Sequence, residues 1–293
     1  MPRPASGTIR ARNRGVEIRV SSWAELQDAV FDDAWQPALS RHRSNCVFRG
    51  VPRARHALAT SLQTGGFEAQ ERHLLTSFRK YALRSAVHGD WVWNWLSVAK
   101  HHGLPTRLLD WTYSPLVAMH FATHDIRHFD EDAAIWCVDY RKTNELLPKP
   151  LRKILDEEDV NLFTTELLNR AATTLSEFDT LAKHDFVVFF EPPSLDERIV
   201  NQFALFSLPS SPTMSLQSLL EQRESSYRRI IIPAALKWEV RDKLDQANVT
   251  ERVLFPGLDG LSQWLKRYFT TRPGDDEEDR RGAPPAGRRG RQR

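Results

Sequence analysis

Apolar and polar positions change period repeatedly along this chain, and each change marks an element. "VEIRVSS" (16–22) alternates and predicts a short strand. Ser22 with Glu25 carries the capping-box signature and predicts a helix through "WAELQDAVFDDAW". "NCVFRGVP" (45–52) is an apolar run closed by Gly and Pro, which predicts a strand. Leu74, Leu75, Phe78, Tyr81 and Ala82 recur at helical spacing and predict a helix over 67–87. A second helix is expected from Asp90, as N-cap, to His102. Trp91, Trp95, Val98 and His102 then share a face, and Gly103 and Pro105 end it. "PTRLLDW" reads as an extended link, and Ser114-Pro115 as the cap and first residue of a helix to about Asp125.

Further on, "AAIWCVDY" (133–140) predicts a buried strand. Residues 142–182 alternate charge with leucine and read as helices, a candidate insertion. Strands are expected at 185–192, 198–208 and 227–233, and helices at "AALKWEVRDKLDQA" and "LDGLSQWLKRYF". Strands separated by helices in this way predict an α+β fold with a mainly antiparallel sheet flanked by helices.

Composition narrows the class. A chain of 293 residues with 41% hydrophobic and 10% aromatic residues is globular and long enough for a sizeable core, here a single domain over 16–270. The net charge of +3 points to no polyanionic partner. Charge instead collects at the ends: a mobile basic N-terminus (1–15) and a disordered charged tail (272–293), whose arginines could extend toward nucleic acid. No apolar run reaches the roughly 18 residues of a membrane span. Cys46 and Cys137 lie in apolar runs and read as free buried thiols. With no secretory signal, these predict a cytoplasmic protein.

The chemistry concentrates in two places. Arg49 interrupts an apolar strand just before Gly50, where a ligand or another backbone could come close. Its fork of donors suits phosphate or carboxylate, and a structural partner in Asp110 is the alternative. The second place is "HHGLPTRLLDWTYSPLVAMHFA" (101–122). His101 and His102 end a helix, whose dipole favours protonated imidazole. Arg107 and Asp110 are flanked by Leu108, Leu109 and Trp111, so they are expected to pair or to bind something. Thr112 and Ser114 precede a helix N-terminus, which favours an anion, although Ser114 is also a cap. His120, His124 and His128 are spaced i, i+4, i+8; a mixed helix face is expected rather than a metal site. "WVWNW" reads as core before it reads as a base-stacking surface. If 198–208 is a strand, Arg198 and Gln202 share one face and Glu197 lies on the other. No P-loop, dinucleotide glycine motif, nucleophile elbow or paired CxxC is present.

"VFRGVP", "ERHLLTSF", "AKHHGLPTRLLDWTYSPLVAMHFA", "RIVNQFALF" and "LFPGLDGL", in that order, resemble the FRG-domain family, named for the Phe-Arg-Gly found here as Phe48-Arg49-Gly50. The resemblance spans about 45–265 and departs at Ala204, where the family usually has glycine. The layout also resembles ADP-ribosyltransferases. That likeness implies an ADP-ribosyltransferase-like fold with NAD as substrate. Arg49 would clamp the pyrophosphate, Thr112 or Ser114 would touch the nicotinamide ribose, and His102 would border its pocket. Glu197 or Gln202 would orient the ribose 2′-hydroxyl. The chain lacks the Ser-Thr-Ser and Glu-x-Glu of those enzymes. Two other readings stand beside this one. In the first, a non-catalytic module reads a nucleotide or nucleic acid with Arg49, Arg107 and the histidine pair. In the second, Arg49, Arg107 and Asp110 form a buried structural network.

Overall fold

Eight strand segments pair into one sheet in the computed structural model, which describes residues 17–32, 34–82, 89–194 and 196–272. Among these residues the strands are β1 (Glu17–Arg19), β2 (Trp35–Gln36), β3 (Arg41–His42), β4 (Cys46–Val51), β5 (Leu109–Thr112), β6 (Ala133–Asp139), β7 (Phe163–Thr164), β8 (Val187–Glu191), β9 (Ala204–Pro209) and β10 (Tyr227–Ile232). β2 and β3 form a separate small hairpin. The other eight follow the order β1-β10-β6-β4-β5-β9-β8-β7. Only the two edge pairs, β1–β10 and β7–β8, are parallel. The fold is therefore α+β with a mixed, mostly antiparallel sheet.

Among the described residues the chain also forms fourteen helices. They are α1 (Trp23–Phe31), α2 (Ser61–Thr64), α3 (Glu71–Tyr81), α4 (Val92–His101), α5 (Pro115–Thr123), α6 (Tyr140–Asn144), α7 (Lys149–Glu158) and α8 (Thr165–Ala171). Then follow α9 (Leu175–Asp179), α10 (Glu197–Asn201), α11 (Leu216–Glu221), α12 (Lys237–Gln246), α13 (Glu251–Leu254) and α14 (Leu258–Tyr268). None is long and apolar enough to cross a membrane. The chain falls into two compact units, Met1–Val249 and Thr250–Arg293. In the smaller unit, the buried pair Glu251–Arg267 ties α13 to α14 through hydrogen bonds of 2.6 and 2.8 Å.

In the larger unit the two faces of the sheet are covered differently. One face carries a core that is continuous across the sheet, from Val47, Val51 and Trp136 to Leu109, Trp111, Val187 and Leu205, closed by Leu216, Leu219 and Leu220 of α11. The opposite face carries two separate cores. One joins Phe48, Ile135 and Ile230 to α1, α5 and α12. The other joins Val188, Phe190, Phe206 and Leu208 to α3, α4, α7, α8 and α9. The 142–182 segment is helical as its pattern predicts, with β7 between its helices, and Leu151, Leu168 and Phe178 belong to this last core.

Several expectations change. α3 starts at Glu71 after a single 3₁₀ turn; Tyr81 is exposed, and 83–87 of the expected helix lie outside the described residues. Residues 1–15, and all of 272–293 but Arg272, also lie outside them. Trp91, not Asp90, is the N-cap of α4, because Asp90 Oδ1 instead accepts from Arg79 and from Trp95 Nε1, each at 2.8 Å. α4 has no single buried face: Val92 through Ala99 are all buried between α3, α8 and the sheet. "WVWNW" is core, with Trp93 and Trp95 both buried.

The link "PTRLLDW" ends in a strand, since 109–112 form β5 in the middle of the sheet. Residues 198–208 are not one strand. Asp196 accepts from Ile199 N at 3.0 Å and starts α10, and Phe203, at φ 47°, turns the chain before β9 begins at Ala204. Arg198 and Gln202 therefore share no strand face.

Gly50 is required by packing. A β-carbon there would collide with the carbonyl of Ala118 and crowd Ala122 N at 2.6 Å, both on α5. The close approach it permits is that of the α5 backbone. Gly50→Ala should force α5 off the sheet at a cost of about 1–3 kcal/mol or more. The melting temperature is expected to fall by roughly 2–12 °C, read by thermal denaturation.

Candidate functional site

The site begins at a weak seam. β4 pairs with β6 over six residues and β5 pairs with β9 over four, but β4 and β5 share a single register pair, Phe48 with Thr112. Beyond that pair the strands part. An edge that parts leaves backbone carbonyls without ladder donors, and buried ones need another partner. Arg49 supplies one: its Nη1 donates to the carbonyl of Asp110 at 2.7 Å. The seam lies where the two cores of the divided face separate.

Charges gather around it. The carboxylate of Asp110 is 2.9 Å from Lys100 Nζ and 3.8 Å from Arg49 Nη1. Desolvation pushes this carboxyl up, but Lys100 and Arg49 outweigh it and hold it below the usual carboxylate range. Next to Lys100, His101 Nε2 lies 2.7 Å from the carboxylate of Asp196, the cap of α10. Arg198, on the same helix, adds positive charge that reaches both Asp110 and His101. Burial lowers the pKa of His101, and Asp196 offsets this only in part. Burial thus acts against the helix-end dipole at His101.

Arg49 also lines a cleft of about 470 Å³ beside the C-terminal end of β4. Gly50, Val51 and Pro52 form one wall, His56 and Ala57 another, and Phe121 and His124 of the α5 end a third. The volume lies in the range of small-molecule sites. Arg49 has one hydrogen-bonded carbonyl and one distant carboxylate. Its Nε is buried without a partner, and burial lowers its pKa, with Asp110 offsetting only part of the effect. A guanidinium stays charged under such conditions, so its charge is poorly compensated.

Arg107 is the opposite case. It is fully buried, and its Nε and Nη2 engage both oxygens of Glu71 while Nη1 meets Asp179 at 2.6 Å. Burial alone would lower its pKa, but Glu71 and Asp179 raise it. Arg107 and Asp110 do not pair with each other, and Arg107 is not open to a ligand.

The remaining expected residues divide as follows. The Thr112 hydroxyl donates to the carbonyl of Gln202 at 2.7 Å and accepts from Ser114 N at 3.0 Å. Ser114 Oγ caps α5 by accepting from Val117 N at 3.3 Å. Both hydroxyls hold β5, α5 and the end of α10 together. Gln202 is the C-cap of α10, and Glu197 is exposed in its first turn. His102 is the C-cap of α4, edge-on to His101. The histidine series breaks because α5 ends at Thr123: His120 is buried, His124 lines the cleft and His128 lies in a 3₁₀ turn. Among the described residues no group of three or more His, Cys, Asp or Glu side chains could hold a metal ion. Cys46 and Cys137 are both free thiols.

Sequence reading missed Lys100, His56 and His124 as parts of the site. The signal for Lys100 was available: a lysine in the last turn before the histidine pair. The cleft loop 52–59 gave no such signal, because long-range cations hold it. Lys237 Nζ, fully buried on α12, donates to the carbonyl of Pro52 at 2.8 Å and to that of His128. Arg229 of β10 donates to the carbonyl of Ala54.

A family model described as the FRG domain matches residues 44–131, from just before β4 to just before β6. The match contains Arg49, Gly50, β5 and His124. Comparison with curated proteins and with solved structures gave no match.

Two predictions follow from these pairings. Arg107→Met strands Glu71 and Asp179 and should cost about 3–5 kcal/mol. Its melting temperature should fall by roughly 6–20 °C, whereas Arg49→Gln, which keeps a donor for Asp110, should fall by no more than about 4 °C. Burial lowers Lys237 from its ordinary 10.5 to about 8, against the pull of Glu131, Asp132, Asp130 and Asp125. Between these two values the unfolded chain retains a proton that the folded chain has released, so this lysine makes stability rise with pH across that window. Lys237→Met should lose that rise, seen as a melting-temperature gap from wild type that widens from pH 7.5 to pH 10.

Proposed function

We propose that this protein, which carries an FRG domain, is a ligand-binding protein whose site is the Arg49 cleft, and that the ligand is a phosphate-bearing nucleotide, NAD in the first instance. The observation that carries this is the poorly compensated guanidinium at the wall of a small cleft. Arg107 and Arg267 have carboxylate forks of their own; Arg49 has a carbonyl and a carboxylate that mainly serves Lys100. A phosphate would supply the missing charge and take the donors that remain. Phe121 and the apolar walls suit a ring at the other end of the ligand. A cleft of this size favours a nucleotide over a nucleic-acid strand, which would need a long basic groove.

ADP-ribosyl transfer is a second reading, favoured by the chain order Arg49, Thr112 and Ser114, then Glu197 and Gln202, and by the contact of Gln202 with Thr112. Thr112 and Ser114 already have hydrogen-bond partners, and the Gln202 carbonyl is taken by Thr112. In this reading Glu197 is the carboxylate that orients the ribose 2′-hydroxyl and stabilises the oxocarbenium-like state.

Calorimetric titration of NAD and ADP-ribose, with nicotinamide release followed in parallel, tests both readings. Arg49→Gln should weaken binding about 10- to 100-fold, the loss of one charged hydrogen-bonded contact. Equal affinity in wild type and the variant overturns the site. Binding without nicotinamide release supports the module and excludes transfer.

A further inference from the structure

His124 stands directly after α5 and lines the same cleft as Arg49. Its Nδ1 is 2.8 Å from the carbonyl oxygen of Phe121. A carbonyl oxygen only accepts, so Nδ1 carries the hydrogen, and the lone pair of the uncharged ring is on Nε2. Beneath it lies the buried ring of His120, stacked at 6.2 Å and 15°. Arg241 Nη1 is 2.9 Å from His120 Nδ1. A guanidinium only donates, so His120 Nδ1 accepts and that ring is uncharged. Arg241 in turn meets Asp245 at 3.3 Å. The exposed imidazole is therefore fixed in the tautomer whose open lone pair is on Nε2, over a second, uncharged ring. Base, orienting carbonyl and ligand-facing cation are the parts of a proton-transfer site.

We propose that His124 is the proton acceptor of the Arg49 cleft, taking the proton of a water or hydroxyl that attacks the bound ligand. The proposal rests on the nucleotide reading above. With NAD, Nε2 takes the O–H proton while the oxygen bonds to ribose C1′. The bond from C1′ to the nicotinamide nitrogen breaks, and its electron pair stays on that nitrogen, cancelling the pyridinium charge. Nicotinamide leaves uncharged, and the imidazolium returns its proton to solvent. No electron is gained or lost overall. His56 also faces the cleft, but Arg53 and Arg55 stand beside it, and together with burial they lower its pKa.

Three measurements on the full chain decide the assignment. Nitrogen-15 NMR of the imidazoles should show uncharged His124 protonated at Nδ1; protonation at Nε2 overturns the proposal. Inorganic pyrophosphate should shift the His124 signals in wild type and much less in Arg49→Gln; an unmoved His124 overturns it. With NAD, His124→Gln should lower the rate of nicotinamide release about a hundredfold or more. Its ADP-ribose affinity should stay within about twofold of wild type. A His124→Gln protein that turns over like wild type overturns the proposal. If wild type binds neither NAD nor ADP-ribose, the nucleotide reading fails, and the tautomer and the pyrophosphate response still decide whether His124 is the cleft's proton acceptor.

Discussion

Between β4 and β5 the sheet is held by one residue pair and one guanidinium, and the rest of the site depends on that arrangement. The continuous core on one face keeps the two halves of the sheet in one body. On the other face the helices divide into two packs, and the seam opens between them. Arg49 hydrogen-bonds across the opening to a carbonyl that the diverging ladder does not reach. The same side chain thus joins the sheet and faces the cleft, which is why a charged residue stands in the middle of an otherwise apolar strand.

Compensation, more than burial, separates the arginines of this fold. Arg107 is the more deeply buried, yet two carboxylates raise its pKa, and it anchors α3 and α9 to the link before β5. Arg49 keeps more exposed surface, yet burial lowers its pKa and the shared carboxylate of Asp110 offsets this only in part. A guanidinium in the first condition is costly to strip of its partners, and one in the second carries charge that no carboxylate of its own offsets.

The matched FRG segment, 44–131, contains most of the cleft's lining residues, Arg49 and His124 among them, but not all of the cleft's support. Lys237 and Arg229, both well beyond residue 131, hold the carbonyls of Pro52 and Ala54 and so fix the loop that forms a cleft wall. Asp196 and Arg198 on α10 set the charge around His101 and Asp110. The cleft wall thus takes its shape from the larger unit to residue 249, not from the matched segment alone.

Local pattern was enough for the elements whose signals are local. The apolar runs at 45–52, 133–140 and 227–233, the Ser114-Pro115 cap and the leucine-bearing helices of 142–182 all read correctly, because periodicity and capping act over a few residues. The sequence by itself also marked Arg49 and the 101–122 stretch as unusual. Tertiary structure decided what each residue there does. β5 is four residues long and includes a charged one, so its place in the centre of the sheet comes from β9, nearly a hundred residues away. α10 replaced an expected strand because Asp196 caps it, and a single left-handed residue, Phe203, turns the chain into β9. Whether a buried arginine is structural or open depends on which carboxylates the fold brings within about 3 Å, and sequence spacing does not encode that distance. Glu71 and Asp179 reached Arg107, while Lys100 reached Asp110 and left Arg49 facing the cleft.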